Sequence, residues 1–266
     1  MADTRYLGNR VLRVAVALES AIPFGVGGNP EAPLTTALNS NFAFASPAIR
    51  FNGYGFGIQA TTQNDDRSLS DAPGARERGF LQAGGEVPAI VPRDYASVSD
   101  IAAIFWRLVK KPGEKLWVVT RLSPRGDGVA FENLDEVSVF LVEVDGGQNV
   151  SEGTTSRVYT VTWQSAGTII PNTFASTEPR TAITIGGGTA AATGAIQARR
   201  ASVTAVVGGE SRTIEITNGV TWSVDDDSKA QVIGEGPHVL FTAAGAVSLR
   251  ASHPAFTMGT KAITVT

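Results

Sequence analysis

In the N-terminal part of the chain, apolar residues recur mostly with a period of two. Val11–Leu18, Lys115–Leu122, Glu136–Val144 and Arg157–Trp163 are the predicted strands. In Arg157–Trp163 the residues Tyr159, Val161 and Trp163 share one face, with Val158, Thr160 and Thr162 on the other. Glu136–Val144 is apolar almost throughout, as a strand covered on both sides is. Both faces of Lys115–Leu122 are partly apolar. One segment breaks the rhythm: Val98, Ile101, Ala102, Phe105, Leu108 and Val109 fall on one side of a helix predicted over 98–110. Ser97 is its expected cap, and Asp100 suits the positive end of the helix dipole. Lys110 and Lys111 suit the other end, and Pro112–Gly113 stops it. A lone amphipathic helix among strands is expected to cover a sheet.

Two further strand-like arms, Phe51–Thr62 and Arg78–Pro88, define a long hairpin over 50–88, with the polar tongue Gln63–Asp71 between them. Phe51, Tyr54, Phe56, Ile58, Phe80, Leu81 and Val87 alternate with several glycines. Glycine permits bends and close backbone approach at an entropic cost. Such a hairpin gains support when its exposed edges meet other chains, which points to an assembly subunit. Before it, Pro23, Gly25, Gly27, Gly28, Asn29, Pro30 and Pro33 read as a surface loop, or as an arm ordered on a neighbouring subunit. The loops Ser123–Gly128 and Asp145–Thr155 read as turn-rich.

Beyond about residue 175 the composition shifts. Residues 176–197 carry Pro179, Gly186–Gly188 and Ala190–Ala192, and read as a linker with one short strand, Thr181–Ile185. Over 198–266 short strands recur between turn signals: Ser202–Val207, Thr213–Thr217, Val220–Val224, Ala230–Ile233, Val239–Thr242, Val247–Ala251 and Ala262–Val265. Val220, Trp222 and Val224 share a face, as in an immunoglobulin-like core without its disulfide. The expected organisation is a mainly β domain over 1–175 with one packed helix, a linker, and an Ig-like β-sandwich over 198–266.

The chain has 266 residues, no cysteine and a formal net charge of −3. Disulfides and thiolate metal sites are therefore excluded, and the mild acidity argues against a basic nucleic-acid-binding surface. No signal-peptide pattern opens the sequence, and Val11–Leu18 is too short to span a bilayer. Arg125–Gly126–Asp127 matches an integrin-binding tripeptide, but a turn accounts for it more simply. Asp225–Asp227 could attract calcium yet lacks the spacing of a calcium loop, so a solvated turn is expected. Asp65–Asp66 raises the same question, with Arg67 beside them suggesting ion pairing. Asn149–Ser151 fits a glycosylation sequon, which has meaning only after secretion. His238 and His253 are the only histidines, and no nucleophile elbow, phosphate loop, dinucleotide fingerprint or zinc-protease helix is present. The chain is not expected to be an enzyme or to need a cofactor or metal.

Gly57–Asp71, continuing in Gly79–Gly85, resembles the major tail (tail tube) proteins of long-tailed phages, notably those of actinobacterial hosts. The order of parts agrees: glycine-rich hairpin, polar tongue, helix, then more strands. Val203–Val207, Gly208–Glu210, Val220–Ser223 and Ala243–Val247 resemble a bacterial-type Ig-like domain, a common appendage of such proteins. The resemblance implies hexameric rings that stack into a tube, with inner sheets joined into a barrel around a channel for DNA. It implies that Asn64, Asp65, Asp66, Arg67, Ser68 and Asp71 make contacts between rings or subunits, and that the helix covers the outer side of the sheet. Implied partners are other copies of the chain, tape-measure, tail-tip and terminator proteins, and DNA in transit without specific binding, with no membrane. The Ig-like module would touch host-surface glycans weakly. The implied location is the virion tail, assembled in the host cytoplasm. The rival readings are an adhesin or carbohydrate-binding β protein, which needs exposed aromatics, and a phage head decoration protein, which needs a larger shell domain.

Overall fold

The computed structural model describes residues 12–25, 28–50, 54–59, 82–122, 126–152, 157–178, 180–207, 210–217, 219–234 and 236–266. They form two compact units. The first comprises 1–27, 37–130 and 137–171, and the second 28–36, 131–136 and 172–266. Mainly β structure is observed, as the apolar rhythm predicts.

The first unit is built on a seven-stranded sheet. Its strands are β1 (Leu12–Leu18), β2 (Ala43–Phe44), β3 (Gly57–Gln59), β4 (Gln82–Ile90), β5 (Lys115–Leu122), β6 (Glu136–Glu152) and β7 (Arg157–Phe174), in the order β2-β1-β5-β6-β7-β4-β3. On one face Val14, Val16, Leu116, Val118, Phe140 and Val142 continue into Tyr159, Val161, Trp163, Val87 and Ala89, all buried. A helix, α2 (Ile101–Val109), packs Phe105 and Val109 into this layer. Each such apolar side chain removed from water contributes about 1.5–3 kcal/mol. Trp163 meets Phe56 edge-on at 5.0 Å and Phe105 at 6.1 Å, and Trp106 meets Tyr159 at 4.8 Å.

The helix starts three residues later than the apolar spacing suggests. Asp100 caps it, accepting from the Ala102 N–H at 3.0 Å, while the Ser97 hydroxyl accepts from the Asp100 N–H at 3.0 Å. Val98 lies outside the helix and is 84% exposed. Arg107 ties the entry loop down by donating to the carbonyls of Ser97 and Tyr95.

On the second face Ala15, Ala17, Val119, Val139 and Leu141 are also buried. The Gly/Pro-rich segment covers part of it: Phe24 packs against Phe42 and Trp117, each at 5.2 Å, and Asn41 donates to the Pro23 carbonyl. Its described residues are turns and coil. The short helix α1 (Thr35–Ser40) and strand β2 follow it.

The second unit holds β8 (Thr184–Ile185), β9 (Ala190–Ala191), β10 (Ile196–Ala198), β11 (Ala201–Val207), β12 (Glu210–Ile216), β13 (Thr221–Val224), β14 (Ala230–Ile233), β15 (His238–Phe241), β16 (Gly245–His253) and β17 (Phe256–Val265). They make three sheets, β12-β11-β8, β10-β15-β14 and β13-β16-β17-β9, with β9 parallel to β17. Val203, Val239, Phe241, Leu249 and Ile263 form its core, and Val220, Trp222 and Val224 pack against it. The stretch 176–197, expected as a linker, carries three of these strands, and Ile183, Ile185 and Ala191 lie in the core. Small residues there allow close approach rather than slack. A Cβ on Gly259 would fall 2.3 Å from the Ile183 carbonyl oxygen.

Candidate functional site

The residues singled out for subunit contacts, Asn64, Asp65, Asp66, Arg67, Ser68 and Asp71, lie outside the described residues. What the structure does describe is the base of that hairpin. Gly57, Ile58 and Gln59 pair antiparallel with Gly84, Ala83 and Gln82. Further down, the Gly55 N–H donates to the Glu86 carbonyl, the Arg50 N–H to the Pro88 carbonyl, and Ile49 bridges Ala89. The two arms thus run side by side as the sequence suggests. Gly85, at φ +137°, makes this possible. A Cβ there would sit 2.2 Å from the Gly55 carbonyl oxygen, so only glycine lets the arms approach.

The hairpin base belongs to a distinct part of the sheet. β5 pairs with β6 only from Thr120↔Ser138 to Lys115↔Glu143, but β6 runs on to Glu152. β7 pairs with β4 from Ile90↔Val158 to Gly84↔Gln164. Beyond Glu143, the described strands of the sheet are therefore β6-β7-β4-β3. The Asp145–Thr155 segment, expected as a loop, is strand through Glu152, because Gly146 and Gly147 continue the ladder instead of turning it.

The two faces of this part differ. Tyr159, Val161, Trp163, Val87 and Ala89 lie on the helix-covered face. The opposite face of β7 and β4 presents Thr160, Thr162, Gln164 and Glu86, with Gln164 donating to the Asp145 carboxylate at 2.5 Å. Glu86, Gln164 and Asp145 are exposed. At the end of the β4–β7 ladder lies a cleft of about 830 Å³, lined by Gln82, Gly85, Trp163, Ser165 and Ile169 among others. The buried Trp163 indole N–H and Tyr159 hydroxyl have no hydrogen-bond partner among the described residues. Burial pushes the Tyr159 hydroxyl pKa well above its ordinary value.

The opposite margin of the sheet is closed. The Ser46 hydroxyl accepts from the Val14 N–H at 2.7 Å and donates to the Leu12 carbonyl at 3.1 Å, and the Ala45 N–H reaches the Val14 carbonyl. Beside it, Arg13 and Arg121 are cross-strand partners and both buried. Two such cations are costly unless satisfied. Arg121 donates to the carbonyls of Gly126, Val129 and Ala130, and Arg13 to those of Asp127 and Val129. Arg13 also lies 4.3 Å over the Phe44 ring. The described part of the integrin-like tripeptide, Gly126–Asp127, is thus a turn fastened inward by its carbonyls. No sequence signal marks these arginines, since strand arginines ordinarily face water.

The Asp225–Asp227 turn is engaged by the protein. Asp225 accepts from the Ser248 N–H, and Asp226 from Ser228 and Lys229. Those bonds, that from Lys229 foremost, hold the Asp226 carboxyl at about 2. Among the described residues no group of His, Asp and Glu could hold a metal ion, and no described helix is long and apolar enough to cross a membrane.

The site is thus a helix-backed sheet whose second face is polar. A family model described as Phage tail tube protein matches residues 1–177, and the chain belongs to that family. It is a structural protein of the virion tail and not an enzyme. No curated protein matches the chain.

Proposed function

We propose that the chain forms hexameric rings that stack into the tail tube and conduct DNA to the host. The observation that carries this reading is the four-stranded part β6-β7-β4-β3. One face is sealed by α2, and the other presents threonines, a glutamine and carboxylates. Placed inward, Glu86, Thr160, Thr162, Gln164 and Asp145 make a wall that repels phosphates weakly and offers no cation to hold them. Asn64, Asp65, Asp66, Arg67, Ser68 and Asp71 are proposed contacts between stacked rings or neighbouring subunits, with tail-tip, terminator and tape-measure proteins as further partners.

The C-terminal β unit is proposed to be an Ig-like module. Its support is the sheet β13-β16-β17-β9 with Trp222 on β13 packed against the core. The large apolar side chains exposed among this unit's described residues are Ile196, Val206, Ile233 and Met258. None of its described aromatic rings is exposed for sugar stacking, which favours the tube reading over the adhesin one.

Negative-stain electron microscopy with light scattering, over a concentration range and with tail-tip components added, tests the proposal. Hollow tubes are expected. A chain that stays monomeric even with tail-tip components contradicts it. Deleting 64–71 tests the tongue separately, and stacked tubes that form normally without it would remove its proposed role.

A further inference from the structure

The family boundary and the folding boundary of this chain do not coincide. The tail tube match ends at residue 177. The second compact unit nevertheless takes in 28–36 and 131–136, as well as everything from 172 onward. Three pieces of the family region, 28–36, 131–136 and 172–177, are therefore folded into the unit that carries the C-terminal strands. They are joined along 173–176. The Thr35 N–H donates to the Ser176 carbonyl at 2.8 Å and the Ser176 N–H to the Pro33 carbonyl at 3.0 Å, a parallel bridge between Leu34 and Ser176. The Thr173 hydroxyl donates to the Glu31 carbonyl. The neighbouring residue bonds to the other piece: the Leu134 N–H donates to the Ala175 carbonyl, and the Ala175 N–H to the Asp135 carbonyl, each at 2.9 Å.

Leu134 and Asp135 thus oppose the single residue Ala175, and Leu134 sits at φ +65°. That is the pattern of a β-bulge whose first position normally takes glycine, and such bulges re-aim a side chain. A leucine persists in this strained conformation only where its surroundings over-determine it. Here the surroundings are the C-terminal core: Leu134 is 5% exposed and clusters with Ala32, Ile183, Ile185, Val203, Phe241, Leu249 and Ile263. Phe174 lies 5.5 Å from Phe256 and 6.1 Å from His253, and the Asn133 amide donates to the Thr181 hydroxyl at 3.3 Å. We infer that 28–36, 131–136 and 172–177 are the seat of the C-terminal strands. They complete that unit's core and hold it, so the covalent connection after residue 177 is not what keeps it in place. The C-terminal unit is in this sense part of the tail tube fold and not a module on a tether. A module on one tether is lost at a single cut, whereas a unit seated on three internal segments is retained. This inference goes beyond the ring reading and does not depend on assembly.

Two measurements on the full chain test it. In the first, a protease recognition sequence is inserted after Glu178, which is exposed. The chain is cut, cleavage is confirmed on a denaturing gel, and the product is run on gel filtration. The two fragments should elute together and separate only in denaturant. Fragments that elute apart under native conditions overturn the inference. The second measurement leaves the chain uncut and compares hydrogen exchange in the unaltered protein and in Leu134→Ala, a change made inside the family region. The amides of Val203, Leu249 and Ile263 should exchange at least about tenfold faster in the variant, because their core has lost a buried leucine. Those of Val118 and Val139, in the first unit, should be unchanged. C-terminal amides that keep their protection in Leu134→Ala, or an equal loss at Val118 and Val139, overturn the inference.

Discussion

Replacing Gly85 by alanine tests how the hairpin base is built. The residue sits at φ +137°, and the added Cβ would lie 2.2 Å from the Gly55 carbonyl oxygen, 2.7 Å from its carbon and 2.9 Å from the Phe56 Cα. All three are backbone atoms, so no side chain can swing aside. Gly55 is held in place by its N–H bond to the Glu86 carbonyl, and Phe56 by edge-on contacts with Trp163 and Phe140. The strained backbone costs about 1–3 kcal/mol and the overpacking a similar amount, together about 2–6 kcal/mol. At about 2–4 °C per kcal/mol for a domain of this size, the transition of the first unit should fall by roughly 5 °C or more. Two controls sharpen the test. Gly57→Ala meets nothing within 4 Å and should be neutral or slightly stabilising. Gly259→Ala meets the Ile183 carbonyl oxygen at 2.3 Å and should lower the transition of the C-terminal unit instead. Scanning calorimetry of the unassembled chain reads all three. A Gly85→Ala chain that melts like Gly57→Ala refutes the close-approach argument.

Three further outcomes are expected. Ser46→Ala removes two hydrogen bonds from the β1 margin. It should cost about 1–2 kcal/mol in urea titrations and raise aggregation seen by light scattering, because that edge becomes available. His253 is buried, accepts at Nδ1 from the Ala255 N–H, and has its pKa lowered below 6.5 by desolvation. The unfolded chain therefore binds its proton first as pH falls. The stability this histidine contributes is fully present above pH 6.5 and is lost as pH drops from there through the folded-state value. Calorimetry of the C-terminal transition against pH should show that slope, and His253→Gln should flatten it. The double change Glu86→Arg with Gln164→Arg should leave tubes intact by microscopy yet slow DNA release from virions, with the delay shrinking as salt rises.

The β class, the covering helix and the inward face of β7 were legible because a period of two or of 3.6 survives in Tyr159–Val161–Trp163 and in Ile101–Phe105–Val109. The start of α2 was not, since Ser97 reads as the cap and Asp100 as a first-turn residue suited to the dipole, whereas Asp100 is the cap. The lengths of β6 and β7 were hidden by Gly146–Gly147 and by Ser165–Gly167. Glycines read as turns unless neighbouring strands hold them in a ladder. The 176–197 stretch read as a linker because its small residues conceal Ile183 and Ile185, whose burial depends on β11 and β17. The end of β5 was invisible for a different reason. An edge exists only once the strand order is known, and nothing in Asp145–Glu152 states that β5 ends opposite Glu143. The tongue was chosen by resemblance, and its contacts stand as a proposal.

A cryo-electron microscopy reconstruction of assembled tubes, at a resolution that traces strands, tests the central claim most directly. It should show β6-β7-β4-β3 of successive copies as one continuous wall, with Glu86, Thr162 and Gln164 facing the channel and α2 outside. A tube in which α2 faces the channel, or in which these strands do not form its wall, would contradict the account.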